Sequence, residues 1–381
     1  MKTTHVLIPD ADAELSLKVL RCLGAAGCYA TTLMTTLDDN PVRYSRFCSG
    51  LIKGPAPTAS DWPSALEQWG VAHPGAVLLP VTLAGFQQVA SQRNRLEKWF
   101  HVAPLPSRER IDLASDKWRL FEAARPRGLP LLPSCPASAE NLAALAGGRG
   151  EFGLPVLVKS RHRRGGFGFQ KLETPAAVTA FAAAVGPGGE QEYLVQPFID
   201  GVDYSLSVCC RSGQIMAYTL WRALRYGGRR YSIPRIVEFV EHADILAAGR
   251  ALMALLEWEG VCDIDFFLDP RTGRFWLLEV NARFWQTVIA CLPAGINFPD
   301  LCCRIATGAP PAEWPLQHAG LRYSRPSGVP ALLAPSPIHL RGWRDLTRQT
   351  GVGDLLRDPG PEWHALWRSI RPRRHPPGEP A

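Results

Sequence analysis

The segment 275-FWLLEVNARF-284 combines a run of apolar residues with two polar ones, Glu279 and Asn281. Side chains two positions apart on a β-strand point to the same face, so these two project together. The preceding run, CDIDFFLD, carries Asp263 and Asp265 with the same spacing, and the turn sequence DPRTG separates the two runs. This pattern predicts an antiparallel hairpin whose register brings four oxygen-bearing side chains together.

Oxygen ligands on neighbouring strands suit Mg²⁺, an ion that prefers a few protein oxygens together with water and substrate phosphates. The hairpin also fits a simpler interpretation, in which these residues are the solvated face of a half-exposed hairpin. The hairpin alone leaves both interpretations open.

A second polar feature follows the apolar strand LPVLVK, which ends at Lys159. The next residues, SRHRRGGFGF, include Gly165, Gly166 and Gly168, and a turn of this kind lets backbone N–H groups approach a polyphosphate. A lysine on the entering strand supplies positive charge to the same oxygens. An ordinary hairpin turn is the alternative, and the three arginines before the glycines fit either a γ-phosphate contact or a solvated rim.

Composition narrows the class of protein. The chain has 381 residues, 46% of them hydrophobic, which is enough for two or three compact units. Its ten cysteines form no CxxC pair, which favours buried thiols in a reducing compartment over a zinc ribbon or a redox motif. The first residues are too weakly apolar for a signal peptide, and no apolar run is long enough for a membrane span. We therefore expect a soluble cytoplasmic protein with no membrane partner.

The formal net charge of +7 is concentrated in three arginine-rich stretches, at 161–166, 222–235 and 368–375. Clustered arginine serves phosphate or carboxylate ligands as well as nucleic acid. Aromatic residues are not interleaved with these stretches as base stacking requires, so a nucleic-acid partner is disfavoured.

The first hundred residues alternate strand-like and helix-like runs. Strands are predicted at THVLIP, CYATTLMT and GAVLLPV, and helices at AELSLKVLRCLGAAG, SALEQWGV and LAGFQQVASQRNRLEKW. This alternation predicts a parallel sheet covered by helices, a Rossmann-like unit. No GxGxxG follows the first strand, so dinucleotide binding is poorly supported there. A connector is predicted at 103–110, and Ser115 is predicted to cap the helix that follows.

Together these stretches resemble the ATP-grasp superfamily, in detail over about residues 110–310 and in outline before that. The resemblance implies an α/β fold with a Rossmann-like preceding domain followed by a two-lobed ATP-grasp α+β fold. It places the preceding domain at 1–110, the small lobe with the glycine loop at 111–188, the C-terminal lobe with the metal site at 189–330, and an extension at 331–381 whose end is expected to be disordered.

The resemblance also implies roles for individual residues. Asp265, Glu279 and Asn281 match the ligands of one or two Mg²⁺ ions, with Mn²⁺ as an alternative. Arg283 and Lys159 match catalytic positions, Arg283 being the residue that contacts the transferred phosphate. The nucleotide-binding positions are Lys117, Lys159, Gly165, Gly166, Gly168, the hinge Gln196, Pro197, Phe198 and Ile199, and the ribose contact Asp203. Gln196 replaces the Glu of many relatives, but its amide oxygen can still accept a hydrogen bond.

The implied reaction uses ATP to activate a carboxylate as an acyl phosphate, which an amine then captures. An acid and an amine, such as amino acids or short peptides, are the expected small-molecule partners, and a homodimer is left open. Arg222 and Arg225 are candidates for binding a substrate carboxylate, or belong to an exposed basic loop. Two other functions stay open, namely a bicarbonate-phosphorylating enzyme, which the ExNxR ending suggests, and a non-catalytic nucleotide-binding module.

Overall fold

The computed structural model describes residues 3–11, 13–162, 169–226, 234–325 and 347–370. Gly165, Gly166 and Gly168 lie outside these ranges, as do part of the arginine-rich stretch at 222–235 and the chain end that was expected to be disordered. No helix in the described ranges is both long enough and apolar enough to cross a membrane. The expected cellular location stays a prediction.

A parallel sheet forms the first unit. Its strands are β1 (Thr4–Ile8), β2 (Tyr29–Thr35), β3 (Cys48–Lys53), β4 (Ala76–Leu78) and β5 (Phe100–Val102). They lie side by side in the order β3, β2, β1, β4, β5, every neighbouring pair being parallel. The predicted alternation of strands and helices is confirmed, although the short strands β3 and β5 were not predicted.

Helices connect these strands. They are α1 (Ala13–Ala26), α2 (Trp62–Ala72), α3 (Leu83–Ser91) and α4 (Arg93–Leu96). The last two were predicted as one helix, but Gln92 leaves the helical conformation with φ −109° and ψ 14°. The side chain of Thr82 caps α3 by accepting a hydrogen bond from the Gly85 amide, and Asp10 at the end of β1 accepts from the Thr82 amide and hydroxyl. The carboxyl edge of this sheet is therefore held by buried polar contacts.

Two short helices, α5 (Arg108–Ser115) and α6 (Lys117–Ala124), lead out of the first unit. The predicted cap at Ser115 is wrong. Asp116 is the residue with extended backbone, and its carboxylate accepts from the amides of Trp118 and Arg119, so it caps α6. Asp116 therefore separates the two helices. The connector predicted at 103–110 extends too far, because α5 already begins at Arg108.

A four-stranded antiparallel sheet follows. Its strands are β6 (Cys135–Pro136), β7 (Val156–Ser160), β8 (Phe169–Leu172) and β9 (Tyr193–Pro197), in the spatial order β6, β9, β7, β8. Its helices are α7 (Ala139–Ala146), α8 (Pro175–Val185) and α9 (Gly189–Glu192). Val156 and Val158 are buried in the same apolar cluster as Phe181 of α8. Because neighbouring residues alternate between faces, Lys159 lies on the face away from that cluster.

The largest sheet has six antiparallel strands. They are β10 (Val202–Arg211), β11 (Gln214–Arg225), β12 (Ile236–Phe239), β13 (Gly260–Leu268), β14 (Phe275–Asn281) and β15 (Arg322–Ser324), in the order β14, β13, β10, β11, β12, β15. Helix α10 (Ala243–Leu255) packs on one face, where a Cβ at Gly249 would lie 2.2 Å from Leu206. Ser205 and Ser207 alternate with Leu206 and therefore face the other side.

The end of the described chain returns to the first unit. After α11 (Phe298–Ala306) and β15 come α12 (Val352–Arg357) and α13 (Gly360–Ile370). Between these last two helices the buried carboxylate of Asp358 accepts hydrogen bonds from Arg21 Nε at 3.0 Å, Ser45 Oγ at 2.8 Å and the Arg46 amide at 2.9 Å. These contacts fix the C-terminal helices on the parallel-sheet unit. The domain boundaries expected from the sequence stay predictions.

Candidate functional site

The hairpin of β13 and β14 has the predicted register. Asp265 lies opposite Glu279, and Asp263 lies opposite Asn281. The Asn281 amide nitrogen donates to Asp265 Oδ2 at 2.9 Å, and a β-bulge follows Asp265. The four polar side chains therefore share one face of the sheet, opposite α10.

Two serines that the sequence analysis missed hold the innermost carboxylate. Ser205 Oγ and Ser207 Oγ donate to Asp263 Oδ1 at 2.6 and 2.7 Å. The S-L-S spacing in β10 was the available signal, since it places both hydroxyls on the face of the aspartates. Asp263 is thus satisfied within the sheet, whereas Asp265 and Glu279 are less deeply buried.

Lys117 joins this face from α6. Its Nζ lies 2.8 Å from Glu279 Oε2, and its side chain is only 9% exposed. The preceding residue, Asp116, is bound by the guanidinium of Arg161 at 2.6 Å and 3.2 Å. This two-point ion pair ties the start of α6 to the end of β7. Arg161, for which a phosphate contact or a solvated rim was considered, is therefore a structural partner of Asp116 here.

Lys159 lies among these charges. The pKa of Lys159 is lowered to about 8, chiefly by burial and also by Lys117, while the carboxylates of Glu279, Asp203 and Asp265 oppose the shift. The Lys159 ammonium group, on β7, thus interacts with three acids of the six-stranded sheet, so it lies between the two sheets. The sequence-predicted residues Lys117, Lys159, Asp203, Asp265 and Glu279 are thereby brought into one cleft.

The carboxylates of the cleft are crowded. The pKa of Asp265 is raised well above its usual range by burial and by the negative charges of Asp263, Glu279 and Asp203. The pKa of Asp263 is also raised, chiefly by burial. A cation stabilises the charged form of crowded acids. Lys117 pairs with Glu279, but the pKa of Asp265 is still raised.

The side-chain oxygens of the cleft are of the type that hard divalent cations bind. Within the described ranges no three His, Cys, Asp or Glu side chains already form a metal-binding group. The available oxygens are those of Asp265, Glu279 and the amide of Asn281, and Glu279 is turned toward Lys117. A small set of protein oxygens suits Mg²⁺, which retains water and binds substrate phosphates.

The segment that was predicted as a hinge contains a buried acceptor. Gln196 is 4% exposed, its amide nitrogen donates to Ser134 Oγ at 2.7 Å, and its amide oxygen has no partner among the residues described. Gln196 lies opposite Leu157 and so shares the face of Lys159. The Phe198 ring of the same segment lies 4.3 Å from Lys171 Nζ. Pro197 and Ile199 are partly buried beside them.

Asp203 and Arg283 complete the cleft from two sides. The Tyr226 hydroxyl donates to the Asp203 carboxylate, whose pKa burial raises. Arg283 donates to the Phe284 carbonyl at 2.6 Å and, more weakly, to Asn281 Oδ1 at 3.4 Å. The guanidinium of Arg283 is therefore held next to the hairpin end that carries Asn281.

Arg222 is not in this cleft. It lies opposite Tyr204, which alternates with Ser205, so its side chain is on the α10 face of the sheet. Its guanidinium donates to Glu238 Oε2 at 2.9 and 2.6 Å, and Arg322 Nε binds Glu238 Oε1 at 2.7 Å. Arg225 lies beyond a β-bulge in β11, next to residues outside the described ranges. A substrate role for Arg222 and Arg225 stays a prediction.

Comparison with protein families gives a match over residues 189–328 to a family described as ATP-grasp in the biosynthetic pathway with Ter operon. Among curated proteins, D-alanine–D-alanine ligase of Alkalilimnicola ehrlichii is 28% identical over 207 residues, covering 51% of this chain and 65% of the relative. Biotin carboxylase of a Nostoc species is 25% identical over 335 residues, covering 81% of this chain and 71% of the relative. The chain spans less than two thirds of the D-alanine–D-alanine ligase that it matches.

Solved structures share the fold over most of the chain. An N5-carboxyaminoimidazole synthetase of Staphylococcus aureus, complexed with ADP, superposes with a TM-score of 0.63 at 14% identity over 84% of this chain and 82% of its own. Biotin carboxylase of Campylobacter jejuni superposes with a TM-score of 0.60 at 19% identity over 82% and 73%. Both superpositions cover more than four fifths of this chain.

Proposed function

We propose that this chain, a member of the ATP-grasp superfamily, is an ATP-dependent ligase that activates a carboxylate as an acyl phosphate and joins it to an amine. The products are an amide, ADP and phosphate, and the substrates are amino acids or short peptides. The observation that carries the proposal is the meeting of two lysines with three carboxylates where the two sheets face each other. Opposite charges in one cleft suit a polyphosphate and a divalent cation together.

Asp265, Glu279 and the amide oxygen of Asn281 are the residues that would hold Mg²⁺. When bound, the ion neutralises phosphate charge as the phosphoryl group is transferred. The crowding that raises the pKa of Asp265 is the physical reason for a cation at this place.

The nucleotide would lie on the face shared by Lys159 and Gln196. The amide oxygen of Gln196, which has no partner among the described residues, is a buried acceptor suited to the amino group of an adenine ring. Lys159 and Lys117 would bind phosphate oxygens, and Asp203 would bind the ribose. The glycine loop with Gly165, Gly166 and Gly168 belongs to the proposal on the sequence alone.

The transfer itself depends on position and charge. The acid oxygen attacks the γ-phosphorus, the bond to the β-phosphate oxygen breaks, and ADP leaves with its electron pair. Arg283, which lies beside Asn281, would stabilise charge on the phosphoryl group. The amine then attacks the acyl carbon, loses a proton and releases phosphate.

One observation favours a second candidate, a bicarbonate-phosphorylating enzyme. The biotin carboxylase match covers 81% of this chain, more than the 51% covered by the D-alanine–D-alanine ligase match. Bicarbonate would then replace the organic acid, with the same nucleotide and metal residues. A homodimer is a further proposal, supported by a carboxylase domain dimer among the similar structures.

The experiment is phosphate release from ATP and Mg²⁺ with pooled amino acids and dipeptides, beside a reaction with bicarbonate alone. Release that requires the organic pool, together with a new amide detected by mass spectrometry, supports the ligase. Release with bicarbonate alone supports the second candidate. Tight ATP binding without release under any condition would contradict both enzymes.

A further inference from the structure

A pair of adjoining cavities lies away from the cleft, between the end of α1 and the C-terminal helices. Their volumes are about 770 and 400 Å³, and both are lined by Ala25, Leu292, Asp354 and Arg357. Lys18 of α1 contacts Gln286 near the cleft, and Ala25 is seven residues, or roughly 10 Å, farther along the helix. The cavities therefore lie beside the C-terminal half of α1.

The walls of the cavities carry an excess of positive charge. Arg348 and Arg357 line the larger cavity, and neither forms an ion pair with a carboxylate in the described part of the chain; the guanidinium of Arg348 reaches only the Pro293 carbonyl, at 3.5 Å. Arg21 and Arg46 line the smaller one. Arg21 differs because its charge is already matched by Asp358 and Glu362.

Among the described residues, Asp354 is the one acid that lines both cavities. Asp354 accepts a hydrogen bond from the Tyr323 hydroxyl at 2.9 Å, and burial raises its pKa. Its charge also interacts with Arg21 and Arg357, so this one carboxylate is shared between two guanidinium groups. The remaining polar lining includes Asn297, Thr347 and Thr350, which carry no charge; Asn297 is already hydrogen-bonded to the Cys22 carbonyl and the Asp300 amide.

The backbone that carries the two arginines is fixed by close packing. A Cβ at Gly353 would lie 2.0 Å from the Thr347 carbonyl oxygen, and one at Gly360 would lie 2.0 Å from the Tyr44 carbonyl oxygen. Thr350 is buried and pairs with Ser324 at the end of β15. The two arginines are therefore carried by closely packed backbone that contacts the parallel-sheet unit.

We propose that these cavities form a second binding site, separate from the nucleotide cleft, for a small phosphate-bearing metabolite. The planar guanidinium groups of Arg348 and Arg357 bind the phosphate, for which two-point contacts are favourable. A volume of about 770 Å³ is far larger than a phosphate ion needs and lies in the range of small-molecule sites. The organic part of the ligand occupies the remainder, against Leu292 and Ala25.

The test is calorimetric titration of the full chain with glycerol 3-phosphate, fructose 6-phosphate and inorganic phosphate. Saturable binding of a phosphate ester, at one site per chain and at least 10-fold tighter than inorganic phosphate, is expected. Equal binding of inorganic phosphate would identify the free ion as the ligand and overturn the metabolite assignment. The absence of saturable binding by all three probes at 10 mM would overturn the site itself.

Variants locate the binding. The double variant Arg348→Ala, Arg357→Ala should weaken ester binding at least 10-fold. The control double variant Arg211→Ala, Arg250→Ala removes the same charge at residues that line neither cavity, and it should change ester binding less than 2-fold. Lys159→Ala, in the nucleotide cleft, should leave it unchanged. Equal losses in the two double variants, or a loss with Lys159→Ala, would contradict the proposed location. Both target arginines are exposed, and an unchanged melting temperature without ligand confirms that the variant is folded.

Discussion

The two faces of the six-stranded sheet treat their acidic residues in opposite ways. On the α10 face, Glu238 is bound by Arg222 and Arg322; burial alone would raise its pKa, but these two arginines lower it. On the cleft face, burial and neighbouring acids raise the pKa of Asp265, and Asn281 opposes this only weakly. The acid on the first face is neutralised by its own arginines, whereas on the second face the pKa of Asp265 stays raised although Lys117 and Lys159 lie nearby.

This difference separates a structural ion pair from a candidate active site. Arginine-rich sequence was the reason to suspect the strand that carries Arg222, yet its charge is matched within the fold. The sequence that carries the cleft acids is less rich in arginine, but these acids are crowded on one surface of the sheet. A cluster of acids with a raised pKa indicates a ligand more strongly than the number of charged residues does.

The largest expected effect comes from replacing one acid on each face. Glu279→Gln removes a charged Mg²⁺ ligand and should reduce ATP turnover by about 10²–10³-fold, the range seen when one charge-stabilising group is lost. Glu238→Gln should leave kcat within a few-fold of wild type. Steady-state phosphate release measures both, and circular dichroism checks the fold. Near-normal turnover in Glu279→Gln would show that the metal assignment is wrong.

A smaller effect is expected for the lysine of the cleft. Lys159→Ala removes a charge-assisted contact, worth about 1.5–3 kcal/mol, so nucleotide affinity should fall roughly 10–100-fold. The matched control is Lys53→Ala, which removes an exposed lysine at the end of β3; this lysine pairs with Asp38. Calorimetry with ADP gives both dissociation constants. Equal ADP affinities of Lys159→Ala and the wild type would mean that Lys159 only leads into an ordinary hairpin turn.

Nucleotide affinity should also depend on pH. The pKa of Lys159 is about 8 in the free protein, and bound phosphate would raise it, because negative charge favours the ammonium form. Below pH 8 this lysine is already charged and contributes no pH dependence. Above pH 8 binding must take up a proton, so affinity should fall by up to about 10-fold per pH unit. ADP titrations from pH 7 to 9.5 check this, and Lys159→Arg should flatten the curve. An unaltered slope in that variant would assign the effect to another group.

The opposite face should affect stability in acid. The pKa of Glu238 is lowered in the folded chain, so its stabilising contribution is present above its unfolded pKa near 4.5 and is lost as pH falls below it. Glu238→Gln should lower the free energy of unfolding by about 1–3 kcal/mol at pH 7 and by less at pH 4. Urea unfolding at both values measures the difference. An equal loss at the two pH values would indicate a packing defect.

The smallest effect is expected for Arg222→Ala. Because Arg222 lies on the α10 face, the KM for every substrate should change less than 3-fold, although some stability is lost with the Glu238 contact. Substrate kinetics with the acid and amine found by the pooled assay measure it. A KM increase above 10-fold for one substrate would support the substrate role suggested by the sequence.

Local sequence patterns predicted the parallel unit and the hairpin because both depend on periodicity and turns. The register of Asp265 against Glu279 follows from the spacing of two polar pairs around one turn. Contacts between distant segments were not predictable in this way. The approach of Lys117 to Glu279 depends on where α6 packs, and the position of Arg222 depends on strand alternation along the whole of β11.

Binding of a non-hydrolysable ATP analogue, titrated calorimetrically with and without Mg²⁺, tests most directly whether the crowded acids and the lysines form one nucleotide–metal site. We predict saturable binding at one site per chain that tightens at least 10-fold with Mg²⁺ in the wild type. In Glu279→Gln that enhancement should be lost while the metal-free affinity persists. Binding that is absent, or that tightens equally with Mg²⁺ in both proteins, would contradict the assignment of this cleft.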